Sequence, residues 1–87
     1  MAARCVMFTA TGAVKATPGL LVACVLTHSA AAQISVLDGG SGGTEIFGLR
    51  LGGAGSVVFA PAQAIAFINL YLTVDSGTSP EVSFVYV

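Results

Sequence analysis

The side chains that could do chemistry are few and scattered. His28 is the single histidine in the chain. A serine nucleophile with a histidine base would need Asp38 or Asp75 to meet that imidazole in space, so His28 is read as a solvated strand-end residue. The acids Asp38, Glu45, Asp75 and Glu81 fall one to a loop or strand end, which suits solubility better than a paired general acid and base or a calcium cage. Asp38-Gly39-Gly40-Ser41-Gly42-Gly43 looks like a phosphate-cradling or calcium-repeat loop. It has neither the Gly-Lys-Ser/Thr and following helix of the first nor the repetition of the second. Cys5 and Cys24 match no zinc spacing. They either form one disulfide or, the reading preferred here, remain two buried free thiols in a reducing compartment. No catalytic, cofactor-binding or metal-ligating residue is assigned, and the chain is expected not to be an enzyme.

Composition says more. In 87 residues, 55% are hydrophobic and 8% charged, against roughly 25% charged in an average soluble domain. One domain spanning 1–87 is expected. A domain this small leaves much of its surface outside any core, so part of that apolar surplus must meet another chain, and a homo-oligomer or larger assembly follows. The net charge of −1 and the scattered Arg4, Lys15 and Arg50 offer no basic stripe, so nucleic acid is not an expected partner. No Lys/Arg-rich amphipathic helix is evident for a membrane surface.

The stretch Leu20-Leu21-Val22-Ala23-Cys24-Val25-Leu26 invites two other readings. It resembles a lipobox, the mark of an exported lipoprotein, but a lipobox cysteine ends the hydrophobic run and Cys24 lies within it. As a membrane span, Ala16 to Leu37 is interrupted by Pro18, Gly19, His28, Ser29, Gln33 and Ser35. A short apolar run between turn residues is instead the pattern of a central strand buried on both faces.

The remaining chain alternates with a period of two between turn signals. Strands are expected over Arg4–Thr9, Gly12–Lys15, Leu20–Thr27, Gln33–Asp38, Thr44–Leu51, Ser56–Phe59, Asn69–Val74 and Glu81–Val87. Ala62 to Ala66 is read as a loop entering Phe67. In Thr44–Leu51, strict alternation puts Glu45 on the same face as Phe47, Leu49 and Leu51, a conflict that only a twist or bulge would relieve; Glu45 is expected at the strand end, in water. Seven or eight short antiparallel strands predict an all-β sandwich or jelly roll. Residues 1–10 are a candidate interacting strand or arm. Arg4, Val6 and Phe8 there, with Tyr71 and Tyr86, whose hydroxyls need a partner or water, are the candidate interface residues.

Two stretches carry a resemblance. Gly12-Ala13-Val14-Lys15-Ala16-Thr17-Pro18-Gly19-Leu20-Leu21, with Val36-Leu37-Asp38 after the apolar strand, resembles the opening of small virion proteins of tailed phages. Ile65-Ala66-Phe67-Ile68-Asn69-Leu70-Tyr71-Leu72-Thr73-Val74 and the terminal Val85-Tyr86-Val87 resemble their second half. Members often place Asn-Gly before Leu-Tyr, whereas here Asn69 runs directly into Leu70. The resemblance implies a β-sandwich structural subunit of the virion, such as a capsid decoration or cement protein. Its partners would be the major capsid protein or another virion protein, its location the particle assembled in the host cytoplasm, and it brings no catalytic residues. A host-recognition or carbohydrate-binding fibre module is the alternative, although Asp38 to Thr44 offers no aromatic for a sugar.

Overall fold

The computed structural model describes residues 3–87. It is all-β, with nine strands: β1 (Arg4–Phe8), β2 (Gly12–Lys15), β3 (Gly19–His28), β4 (Ala32–Asp38), β5 (Thr44–Leu51), β6 (Gly55–Phe59), β7 (Ile65–Phe67), β8 (Leu70–Ser76) and β9 (Glu81–Tyr86). A 3-10 turn at Gly40–Gly42 joins β4 to β5. Five strands form one sheet in the order β1-β9-β3-β6, with β7 also paired to β3, and four form the other in the order β2-β8-β4-β5. All pairings are antiparallel. The two sheets face each other as a sandwich.

The winding is simple once β7 is set aside. Strand β4 pairs with β5, β3 with β6, β2 with β8 and β1 with β9, so the chain is one long antiparallel ribbon doubled back at the glycine-rich turn. The ribbon is then rolled until β9 lies beside β3 and β8 beside β4. This is the winding of a jelly roll. The tip of the ribbon requires glycine: Gly39 has φ 112°, and a Cβ at Gly43 would overlap the carbonyl oxygen of Asp38.

Inward positions follow from the registers. In the five-stranded sheet, Val6, Phe84, Cys24 and Phe59 lie side by side, and Phe8, Val82, Leu26 and Val57 form the next row. Opposite them, Ile34, Val36, Leu49, Leu70 and Leu72 fill the inner face of the four-stranded sheet, and with Leu21, Cys24, Leu26, Val82 and Phe84 they form one core. The sandwich is closed along one side by the Phe47 and Phe59 rings, stacked at 4.0 Å between β5 and β6. Inside, Phe8 meets Phe84 edge-on at 6.0 Å.

Three expectations change, and one conflict is resolved. Among the described residues there are nine strands, because Ile65–Phe67, where the sequence predicts the end of a loop entering Phe67, completes the edge beside β3. Residues this few, with alanine among them, carry too short an alternation to signal a strand. The apolar run of β3 is buried on one face only: Leu21, Cys24 and Leu26 are fully buried, whereas Leu20 and Val22 are 44% and 37% exposed. A bulge between Leu21 and Ala23 lets two inward residues stand three apart, which hides the alternation from a sequence reading. The Glu45 conflict resolves similarly. Register passes from Val36↔Phe47 to Leu37↔Glu45, so Ile46 is the extra residue, and Glu45 is turned outward and exposed. Finally, Cys5 is exposed rather than buried; both thiols are free.

Of the arm at residues 1–10, residues 1 and 2 lie outside the described residues; Arg4–Phe8 is an edge strand of its own domain. Among the described residues, no helix is long and apolar enough to cross a membrane.

Phe84 is fully buried at the centre of this core. Phe84→Ala is expected to lower unfolding stability by about 3–5 kcal/mol, read as a fall in the urea midpoint. The exposed Val58→Ala on the same sheet should move it by less than about 0.5 kcal/mol.

Candidate interaction surface

The outward sides of the two sheets differ in chemistry. On the four-stranded sheet, Gln33 lies between Arg50 and Ser76, Ser35 between Gly48 and Thr73, and Leu37 between Glu45 and Tyr71. Asp75, at a bulge in β8, accepts a hydrogen bond from the Ser35 hydroxyl at 2.5 Å. That is an ordinary solvated face.

The five-stranded sheet shows the reverse. Its outer rows are Met7, Ser83, Val25 and Val58, then Cys5, Val85 and Ala23. Leu20 and Val22 extend the patch along β3. The polar row Glu81, Thr27 and Ser56 bounds it at one end, with the Thr27 and Ser56 hydroxyls 2.9 Å apart. Met7 is 57% and Val58 59% exposed; with Leu20 and Val22 they make up all but Ile68 of the large exposed hydrophobics among the described residues. Concentration on one face, with charge only at its border, makes this the candidate interaction surface.

The candidate interface residues read from sequence are not brought together on this face. Val6, Phe8 and Tyr86 pack against the core from the inner side. Tyr86 also meets Phe67 edge-on at 6.5 Å and lies under the Lys15 ammonium, 5.8 Å from the ring centroid. Tyr71 is on the outer side of the polar sheet, beside Leu37 and Ala13. Arg4 is exposed at the start of β1. The residues that sequence reasoning missed are Cys5, Met7, Val22, Val25 and Val58. The available signal was the absence of charge at every alternate position of β1 and β3.

Asp38 has structural work. One Asp38 carboxylate oxygen accepts the backbone N–H groups of Ile68 and Asn69, each at 2.9 Å. The Asn69 carbonyl in turn accepts the N–H groups of Gly39 and Gly40, at 2.9 and 3.2 Å. The ribbon tip is thereby clamped onto the β7–β8 turn. The amide donors of Asn69 and Ile68 favour the charged form and hold the Asp38 carboxyl below its ordinary value. Its oxygen is engaged by the fold, which argues against a ligand role. Among the described residues no cluster of three or more His, Cys, Asp and Glu side chains could hold a metal ion. Comparison of the chain with family models, characterised proteins and solved structures finds no match.

Burial pushes the Cys24 thiol up to about 12. Cys5 and Cys24 take opposite sides of the sheet, since they pair with the adjacent Val85 and Phe84 of β9. A disulfide within one chain is therefore out of reach. A chromogenic disulfide at pH 8 should titrate one thiol in the native protein, Cys5, and both after denaturation.

The Asp38 clamp gives a signed pH dependence. A folded pKa below the unfolded value of about 3.9 means that ionised Asp38 stabilises the fold above that value. The contribution is lost as pH falls through the folded pKa. Urea midpoints of the parent and Asp38→Ala should differ at pH 7, and the gap should narrow as pH falls below about 3.9. A gap that stays constant across this range would contradict the clamp.

Proposed function

We propose that this chain is a non-enzymatic structural subunit of a virus particle, a capsid decoration or cement protein that lays the outer face of its five-stranded sheet against neighbouring capsid subunits. The observation that carries the reading is the division between the two outer faces. An uncharged patch holding Met7, Leu20, Val22 and Val58 opposes a face bearing Arg50, Glu45 and Asp75. A subunit standing on a shell needs one face to dock and one for water. Burying apolar side chains contributes about 25 cal/mol per Å² of surface removed from water, and bound copies stabilise the shell because they bind its intact form in preference to its disrupted one.

The jelly-roll winding suits this role, since that architecture recurs in viral capsid proteins, although it also serves lectins and fold alone does not assign function. The resemblance of Gly12–Leu21 and Ile65–Val74 to small tailed-phage virion proteins points the same way. A carbohydrate-binding module is less well supported, because the Asp38 to Thr44 turn carries no aromatic and its carboxylate is held by backbone amides.

Particles stripped of the protein should lose resistance to heat and osmotic shock and regain it on adding the parent chain. Val58→Arg with Val22→Arg, which place cations on the docking face, should weaken rebinding at least tenfold, whereas Arg50→Ala on the opposite face should leave it unchanged. Stripped particles as robust as intact ones would refute the cementing role.

A further inference from the structure

We propose that β1 pairs with β1 of a second copy of this chain, antiparallel about a twofold axis at Val6, so that the five-stranded sheets of two subunits become one continuous sheet. The four edges of the sandwich are not equivalent. Strand β2 is short, broken by a bulge between Ala13 and Lys15, and ends in a lysine. Strand β5 carries Glu45, Gly48 and Arg50 and a bulge at Ile46. The β6 and β7 edge is split by the segment holding Pro61, and its β6 half is flanked by the Phe47–Phe59 stack. These are the devices by which natural sheets prevent edge-to-edge pairing. Strand β1 has none: Arg4-Cys5-Val6-Met7-Phe8 runs in unbroken register along β9, without glycine, proline or bulge, and its single charge is at its first residue.

Its sequence also fits its own copy. Directly opposed residues of an antiparallel pair point to the same face, so a twofold pairing must match positions of equal parity. Full overlap of Arg4–Phe8 then allows one register, with Val6 opposite Val6, Cys5 opposite Met7, and Arg4 opposite Phe8. Val6 and Phe8 are inward residues packed on the core, so the two cores would abut. Arg4 meets an aromatic rather than another cation, a favourable pairing at a sheet edge. Cys5 and Met7 meet on the outer side, where both are exposed, and the uncharged faces of the two subunits run together. The pairing rests on the strand itself; only its use, a docking face of doubled extent, rests on the proposed virion role.

The register is tested by cross-linking the full-length chain without particles. Met7→Cys puts a thiol directly opposite Cys5 of the second copy, at a Cα separation of about 4.5–5.5 Å, within disulfide reach. Two Cys5 residues would be diagonal neighbours at roughly 7–8 Å, beyond it. With oxidised glutathione as electron acceptor, two thiols become one disulfide and two reduced glutathiones. Met7→Cys is expected to give at least tenfold more covalent dimer than the parent on non-reducing gels. In sedimentation equilibrium the parent is expected to dimerise. Cys5→Arg with Met7→Arg, which opposes cation to cation across the axis, should weaken dimerisation at least tenfold, and Val58→Arg should leave it intact. All these positions are exposed, and circular dichroism verifies that each variant is folded. A folded Met7→Cys that cross-links no better than the parent overturns the proposal, as does a monomeric parent or a dimer lost only in Val58→Arg. A monomer that still loads onto particles overturns the edge pairing alone, and a dimer that does not load overturns the virion reading alone.

Discussion

An antiparallel strand must send alternate residues to opposite faces, and in this chain that parity decides where the apolar surplus goes. A sandwich has one interior, filled from both sheets by residues such as Ile34, Leu72, Leu26 and Phe84. With 55% of its residues hydrophobic, the molecule has more apolar side chains than inward positions. The remainder is not spread evenly. It falls on the outer side of β1, β3, β6 and β9, while Gln33, Ser35, Arg50, Glu45 and Asp75 are gathered on the other sheet. Such segregation gives the molecule a wet side and a dry side.

The same ladders explain how so small a chain holds together. Rolling one ribbon makes nearly every strand pair with a distant one, so the structure depends on long-range contacts and closes late in folding. The tip is where the roll is pinned. Asp38 ends β4, enters the glycine turn and accepts the amides of Ile68 and Asn69, at the point where the second half of the ribbon crosses between sheets. At the opposite terminus, Val87 exchanges hydrogen bonds with Leu20 at 2.9 and 3.1 Å, tying the end of the chain to β3.

Much of the architecture was legible in the sequence because alternation survives wherever the ladder is regular. Ile34 and Val36, Leu70 and Leu72, and Val82 and Phe84 face inward as their spacing predicts. What could not be located were the bulges. An extra residue at Val22 made β3 look apolar on both sides, and another at Ile46 made Glu45 look misplaced. The surplus apolar surface was foreseen from composition, but its location was not. Tyrosine hydroxyls drew attention to Tyr71 and Tyr86 and the N-terminal strand to Val6 and Phe8, whereas the dry face is built of valine, leucine, alanine, methionine and cysteine around Ser83. It is inconspicuous residue by residue and distinctive only once the registers align its rows.

The proposed role in a virus particle requires that the outer face of the five-stranded sheet be covered by protein when the molecule is in place. Hydroxyl-radical footprinting of Leu20, Val22 and Val58, in the purified chain and in assembled particles, addresses it most directly. All three should be modified readily in the free chain and strongly protected in the particle, while Tyr71 on the opposite sheet reacts equally in both. Equal modification of Leu20, Val22 and Val58 in the two states would contradict the claim.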